Sequence, residues 1–234
     1  VKALVTREMF RDCANLTKIE GLSNLNVSAV ANMETTFGGC SSLTSLDLSG
    51  WNTGAAITMK QMFAQCNKLE TIKGLSGDSS NWSTASVTDM SYMFENCKSL
   101  TAADVSGFNT ASVTDMTNMF ADCKELSTID VSKWSSSSLK KMPCMFYGCK
   151  SLGALNFGEN WTVGQVKDMT AMFAYCTNLT SISGLERWDT SSVTNMNNST
   201  QVKELDGDGN LKDKLVVGPD GKQIPVMACK GLFA

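Results

Sequence analysis

The chain has 234 residues, of which 42% are hydrophobic and 18% are charged, with a formal net charge of −3 and no histidine. The missing imidazole excludes His-based acid–base catalysis, His-dependent nucleophiles and His-ligated metals. The mild acidity and the lack of a basic run predict that the chain does not bind nucleic acid. No apolar stretch approaches the length of a membrane span, so we expect no membrane-spanning segment.

A repeat runs through most of the chain. The stretch from Val87 to Leu100 has the skeleton V-x-x-M-x-x-M-F-x-x-C-x-x-L, which returns, complete or degraded, in six further places. These copies span residues 30–43, 113–126, 139–152 and 166–179, or end at Leu16 and Leu69. The repeat cysteines are Cys13, Cys40, Cys66, Cys97, Cys123, Cys149 and Cys176, with spacings of 27, 26, 31, 26, 26 and 27 residues. So constant a period predicts stacked units that bury one continuous core.

Each unit opens with an alternation of apolar and polar residues, as in Leu46-Asp47-Leu48-Ser49. This period of two predicts a short strand with one buried face. An aromatic residue follows, and all five tryptophans of the chain fall at this position. The column consists of Trp51, Trp82, Phe108, Trp134, Trp161 and Trp188. We interpret it as a buried corner of the unit, with a ligand platform as the alternative.

A short helix is predicted after the aromatic corner. One apolar stripe at helical spacing consists of Val113, Met116, Met119, Phe120 and Cys123. This spacing predicts about three helical turns that face the core, rather than a Met-rich binding surface. A helix that is partly 3₁₀ is the alternative. Ser112 with Asp115, and Ser86 with Asp89, resemble capping boxes at the start of such helices. The predicted fold class is therefore an α/β repeat of about seven units of 26–27 residues.

The repeat is interrupted once and ends before the chain does. The third unit carries an insertion at Ser76–Ser80, which we interpret as a surface loop. Past Asn197 the pattern stops, and the run after Lys214 predicts two short strands around a turn at Gly218–Gly221. We therefore expect a repeat domain over residues 1–198. Residues 199–234 are expected to form a small β-hairpin cap or the start of a further domain.

The composite unit C-x-x-L-x-x-L-D-L-S-x-W-x-T-x-x-V-x-x-M-x-x-M-F resembles the repeat of BspA-like leucine-rich-repeat surface proteins of bacteria. The resemblance covers about residues 5–196. It implies a curved leucine-rich-repeat solenoid whose strands line the concave face, in a secreted or cell-surface protein that adheres to matrix proteins or other cells. The family brings no shared catalytic residues. Because the chain opens almost inside a repeat, we expect the natural protein to extend upstream, with its signal peptide and anchor elsewhere.

The strand face is the predicted ligand-binding surface. If Leu46 and Leu48 point inward, Asp47 points outward, and the equivalent positions form a column across the repeats. That column consists of Glu20, Asp47, Lys73, Asp104, Asp130, Asn156 and Ser183. Because adjacent strands lie about 4.8 Å apart, the column would form a shallow acidic groove for a protein or glycan. The alternative is a solvated face whose acids serve solubility or local hydrogen bonds.

The sequence predicts no cofactor, metal site or catalytic group. The repeat cysteines are interpreted as a buried ladder of reduced thiols, and a disulfide involving Cys144 or Cys229 is the alternative. The run Asp206-x-Asp208-x-Asn210 matches the first ligands of a calcium loop, but Leu211 and Val217 occupy positions at which that loop needs Gly and Glu. We therefore expect a non-enzymatic surface module that binds an extracellular protein or glycan. A structural stalk that presents another domain is the rival hypothesis.

Overall fold

A computed structural model describes residues 6–76 and 81–196 in full and four further strands by their backbone. Six short strands come from the repeats: β1 (Ser45–Asp47), β2 (Thr71–Lys73), β3 (Ala102–Ala103), β4 (Thr128–Ile129), β5 (Ala154–Asn156) and β6 (Ser181–Ser183). Six of the seven units contribute one strand each, as their alternating pattern predicts, and the first unit has none among the described residues. The side chains of Leu46 and Leu155 point inward and are only 3% exposed, whereas their neighbours along the strand are exposed.

The strands stack side by side in chain order. β1 pairs with β2, β3 with β4 and β5 with β6, always in parallel. β2 also lies beside β3, and β4 lies beside β5. The register joins equivalent positions of successive units, as in Leu46 opposite Ile72 and Leu155 opposite Ile182. Each unit is therefore one coil of the chain that rests on the next.

A second parallel ladder runs along another side of the stack. Single bridges link one residue of each unit to the equivalent residue of the next. The bridged residues are Asn32, Thr58, Asp89, Asp115, Lys141, Asp168 and Asn195. The sequence predicts that the helices start in the segments that contain these residues. The bridges show that the backbone there is extended instead.

The predicted helices are absent from the described residues, so the helix-plus-strand solenoid was a wrong prediction. The only helical segments there are two single 3₁₀ turns, at Leu22–Asn24 and Leu185–Arg187. The Met-Phe segments instead form consecutive turns. Each segment contains two residues with a positive φ, such as Gln61 and Gln65 with φ of 55° and 61°. A left-handed residue costs an L-amino acid about 1–2 kcal/mol and ends a right-handed helix.

Backbone hydrogen bonds show what replaces the helix. In the unit around residue 92, alternate N–H groups donate to the following unit, including Tyr92 to the carbonyl of Thr117 at 2.7 Å and Phe94 to that of Met119 at 2.9 Å. The N–H groups between them close tight turns, as Glu95 does on the carbonyl of Tyr92 at 3.1 Å. Every second donor thus bonds within its unit and the others bond between units. This pattern satisfies buried backbone groups without the i→i−4 bonds of a helix.

The predicted capping boxes have a different role in these segments. The Asp115 carboxylate accepts hydrogen bonds from the backbone N–H of Thr117 at 2.9 Å and from its hydroxyl at 2.5 Å. The Asp89 carboxylate accepts one from the N–H of Ser91 at 2.9 Å. These are two-residue Asx turns, in which the acid stabilises a bend in the chain rather than a helix N-terminus.

The core consists of columns of identical side chains. Successive repeat phenylalanines stack, for example Phe94 on Phe120 with centroids 5.1 Å apart and Phe120 on Phe146 at 5.6 Å. The repeat thiols from Cys40 to Cys176 are buried or nearly so, and each donates to a phenylalanine carbonyl of the preceding unit, as Cys123 does to Phe94 at 3.1 Å. Cys13, which the predicted ladder included, is exposed. The Met-Phe stripe is therefore core, as predicted, although its backbone is not helical.

The aromatic column is a buried corner. Trp134 is fully buried, stacks on Phe108 at 6.0 Å and donates its indole N–H to the carbonyl of Val105 at 3.0 Å. Trp51 and Trp161 make the same kind of bond to Leu22 and Val131. An indole whose N–H bonds to the preceding unit is a spacer between coils, and its ring is not available as a ligand platform.

Beyond the repeats the structure describes two antiparallel strand pairs by their backbone. β7 (Lys203–Leu205) pairs with β8 (Leu211–Asp213), and β9 (Leu215–Val217) pairs with β10 (Gln223–Pro225). The second pair occupies the run in which two strands were expected. Residues 77–80 of the inserted loop, the Gly218–Gly221 turn, residues 206–210 and Cys229 lie outside the described residues. The division into residues 1–198 and 199–234 stays a prediction.

Candidate functional site

The predicted binding column lies on the exposed side of the strands. Asp47, Lys73, Asn156 and Ser183 are the last residues of β1, β2, β5 and β6. Asp104 and Asp130 follow directly after β3 and β4. All of these side chains are exposed, because the alternation along each strand turns them away from the buried residue that precedes or follows. The parallel register therefore joins these six residues in one row across the stack.

The row contains both unlike and like neighbours. Asp47 lies opposite Lys73, whose ammonium helps to lower the pKa of the carboxyl. Asn156 lies opposite Ser183 and accepts a hydrogen bond from its hydroxyl at 2.9 Å. The register of β3 and β4 continues past Ala103 and Ile129, so that Asp104 and Asp130 follow at equivalent positions. The row is thus most acidic at its centre.

Each aspartate of the row also has a local structural bond. The Asp47 carboxylate accepts from the N–H of Ser49 at 3.0 Å and from its hydroxyl at 2.5 Å, and these bonds are the main cause of its lowered pKa. Asp130 has the same relation to Ser132, at 2.9 and 2.6 Å, and its pKa is likewise lowered. One carboxylate oxygen is therefore engaged in the turn after the strand, as the alternative of local hydrogen bonding predicts, while the side chain remains exposed.

Glu20, the first residue of the predicted column, is not part of a described strand. Its carboxylate forms an ion pair with Lys18 at 2.8 Å, and the hydrogen bond lowers the pKa of Glu20 and raises that of Lys18. Both side chains are highly exposed, at 79% and 70%. The strand register therefore does not join Glu20 to the row, and its charge is already paired with that of Lys18.

A second row, which precedes the strands in each unit, was not singled out from the sequence. Lysines follow the repeat cysteine in three successive units, at Lys98, Lys124 and Lys150. Backbone bonds place the three positions in register: Glu125 N–H donates to the carbonyl of Lys98 at 3.2 Å, and Ser151 N–H donates to that of Lys124 at 3.1 Å. The recurring Cys-Lys pair is the signal that could have revealed this row.

The bridged ladder aligns further titratable groups, and there Lys141 forms an ion pair with Asp115 at 2.8 Å. Among residues 6–76 and 81–196, the Cys, Asp and Glu side chains form no group of three that could hold a metal ion. The eight cysteines that the structure describes have free thiols. A cavity of about 280 Å³ in the first units is lined by Arg7, Glu8, Arg11, Asp12 and Glu34. Its two arginines are paired with its three acids, and Arg7 lies 3.3 Å from both Glu8 and Glu34.

No helix in the described part of the chain is both long and apolar enough to cross a bilayer.

Two solved bacterial structures are similar to the chain at low identity. One is a leucine-rich cell surface protein from Faecalibacterium prausnitzii, with 16% identity, 84% of this chain and 69% of that chain covered, and a TM-score of 0.30. The other is a leucine-rich repeat protein from Bacteroides ovatus, with 14% identity, coverage of 81% and 62%, and a TM-score of 0.24.

Comparison with curated proteins finds no match. One family model does match, in three overlapping segments at residues 2–76, 69–181 and 153–204. The description of this family does not mention BspA-like proteins, so that resemblance stays a prediction. Because the matched segments span most of the sequence, the chain belongs to the family described as Mycoplasma protein of unknown function, DUF285.

Proposed function

We propose that the chain is a non-enzymatic binding module of a secreted or cell-surface protein. In this proposal it adheres to an extracellular protein or glycan through the exposed strand face. The observation that carries the proposal is the row of polar side chains that crosses six adjacent parallel strands with every member exposed. Stacked repeats commonly use such an extended face for binding, because its side chains can vary without disturbing the core.

The residues proposed to contact the partner are Glu20, Asp47, Lys73, Asp104, Asp130, Asn156 and Ser183. The centre of the row would supply most of the specificity, since Asp104 and Asp130 have small neighbours. The exposed residues beside them on the strands are Ala102 and Thr128, which leave the carboxylates accessible from the side. A partner with basic groups at the strand spacing of about 4.8 Å would complement this centre.

The test is a solid-phase binding screen of the purified chain against matrix proteins, mucins and a glycan panel. A partner found in the screen is then titrated against the triple variant Asp47→Asn, Asp104→Asn, Asp130→Asn. Asparagine keeps the side-chain oxygen that the turn after each strand uses, so the variant removes charge without removing that bond. We expect affinity for a basic partner to fall by about tenfold, as the loss of several exposed ion pairs predicts.

The chain offers a matched control on its other ladder. Asp89→Asn, Asp115→Asn and Asp168→Asn remove the same charge from the same type of Asx turn on a different side of the stack. The control triple variant should bind as the unmodified protein does. Equal losses in both variants, or no loss in either, would place the site elsewhere. A folded chain that binds nothing in the screen would favour the structural stalk.

A further inference from the structure

The lysine row defined by Lys98, Lys124 and Lys150 is aligned by the fold itself. The backbone bonds of the cysteine-to-strand segments continue from unit to unit, with Asn178 N–H donating to the carbonyl of Lys150 at 3.2 Å in the next step. Neighbouring positions of the row are therefore about one strand spacing, 4.8 Å, apart. Three ammonium groups follow one another along the stacking direction of an otherwise acidic chain.

No carboxylate of the described residues forms an ion pair with this row. The ion pairs that those residues form involve Lys18 and Lys141 but none of the three row lysines. Lys98 and Lys150 are exposed and Lys124 is half-buried. Glu125, in the adjoining position, is the nearest acid in sequence, yet its carboxylate does not come within 4 Å of a row ammonium. Like charges held in one row repel, and an anionic partner would relieve that repulsion.

We propose that the lysine row binds a linear sulfated glycan that runs along the stacking direction of the repeats. Sulfate groups along one chain can each face a different lysine, because the row presents its charges at regular steps in a single file. The contact is electrostatic and one lysine wide, so it selects a narrow polyanion.

The described surface disfavours nucleic acid as the occupant. Single strands are bound mainly by several aromatic side chains that stack on bases. The tryptophans are buried between the coils, and the exposed Tyr175 packs edge-on against Tyr147. Duplexes are held by broad surfaces that contact many phosphates, whereas the net charge of this chain is −3. A narrow polyanion without bases fits both observations.

This inference goes beyond the proposed function and does not depend on it. The lysine row precedes the strands, whereas the predicted binding row lies at the ends of the strands. The two rows carry opposite charge and would take different partners. A negative result for one row therefore does not contradict the proposal for the other row. Variants of each row separate the two results.

The experiment measures binding of the full chain to a size-fractionated heparin oligosaccharide by titration at increasing salt. The row variant is Lys98→Gln, Lys124→Gln, Lys150→Gln. The matched control is Lys60→Gln, Lys133→Gln, Lys167→Gln, which removes the same charge from one half-buried and two exposed positions that do not follow one another in register. We expect the row variant to lose about tenfold in affinity and the control less than about twofold, because only the row contacts the ligand. The salt dependence of binding should also become shallower in the row variant alone.

A gain-of-binding variant complements the losses. Glu125→Lys adds a charge beside the row and should tighten heparin binding by about threefold. Desulfated heparin should not compete. Equal losses in the row and control variants, no binding of heparin at low salt, or tighter binding of a single-stranded DNA oligonucleotide than of heparin would each overturn the proposal.

Discussion

Each unit has a strand side, which carries its short parallel strand, and a turn side, which carries its Met-Phe segment. The two sides use the backbone in different ways. On the strand side, Ala102 and Ala103 pair with the next unit in ordinary parallel register. On the turn side, bonds within the unit alternate with bonds to the next unit, and left-handed residues such as Asn118 and Asp122 separate the turns. Both sides bury one apolar stripe in the same core. A stripe with a spacing of three to four residues therefore does not require a helix when the neighbouring unit can accept the backbone bonds.

The largest difference between the two sides should appear on truncation of their core side chains. Phe120 on the turn side is fully buried and stacked on both neighbours, whereas Ile129 on the strand side is half-buried. We expect Phe120→Ala to lower the free energy of unfolding by about 3–5 kcal/mol. Ile129→Ala should cost about 1–2 kcal/mol, because less apolar surface is lost. Urea denaturation measures both, and equal costs would show that the turn side is not the main source of stability.

The thiol column of the turn side predicts sensitivity to alkaline pH. Burial raises the pKa of Cys40 to about 11 and that of Cys66 to about 12, and raises those of Cys97 and Cys123 well above the usual value. In the unfolded chain these thiols lose their protons near pH 9, whereas the folded chain retains them. Their contribution to stability is therefore complete below about pH 9 and is lost as the pH rises toward the folded pKa values.

A double variant isolates this effect. Each buried thiol should lower the free energy of unfolding by about 1.4 kcal/mol per pH unit above about pH 9. Between about pH 8 and pH 10, Cys97→Ala, Cys123→Ala should therefore lose about 2–3 kcal/mol less than the unmodified protein. Urea denaturation in the presence of reductant measures the two losses, and lysine and tyrosine titrations cancel in the comparison. Identical alkaline losses would mean that the thiols are not buried as protonated groups.

The smallest expected change in stability distinguishes consecutive turns from a helix most directly, because its sign differs between the two. Gln65 is exposed and has a φ of 61°. Because glycine adopts this conformation without strain, Gln65→Gly should stabilise the protein by about 1 kcal/mol. In a helix the same substitution would destabilise by about 1 kcal/mol. Lys60→Gly, at a turn position outside the left-handed residues, is the control and should destabilise. Thermal unfolding of both variants decides the sign.

The sequence alone revealed the repeat, its period and the residues that face the core. Apolar alternation around Leu46 predicts the strand correctly, because a buried face with a period of two needs no neighbour to identify it. The aromatic corner and the cysteine column were also predictable, since hydrophobic burial depends chiefly on residue type and spacing. The same alternation also predicts that the side chains of the binding row are exposed, although the role of these side chains in binding remains a proposal.

The tertiary structure alone decided the conformation of the Met-Phe segment. The stripe through Met116 and Phe120 has the same spacing in a helix and in consecutive turns, so periodicity cannot separate them. The choice depends on whether the next coil accepts alternate N–H groups, as Met145 accepts that of Phe120 at 2.9 Å. Those bonds join residues about one repeat apart. No local pattern in the chain could therefore have predicted them, and the same bonds between coils align Lys98, Lys124 and Lys150.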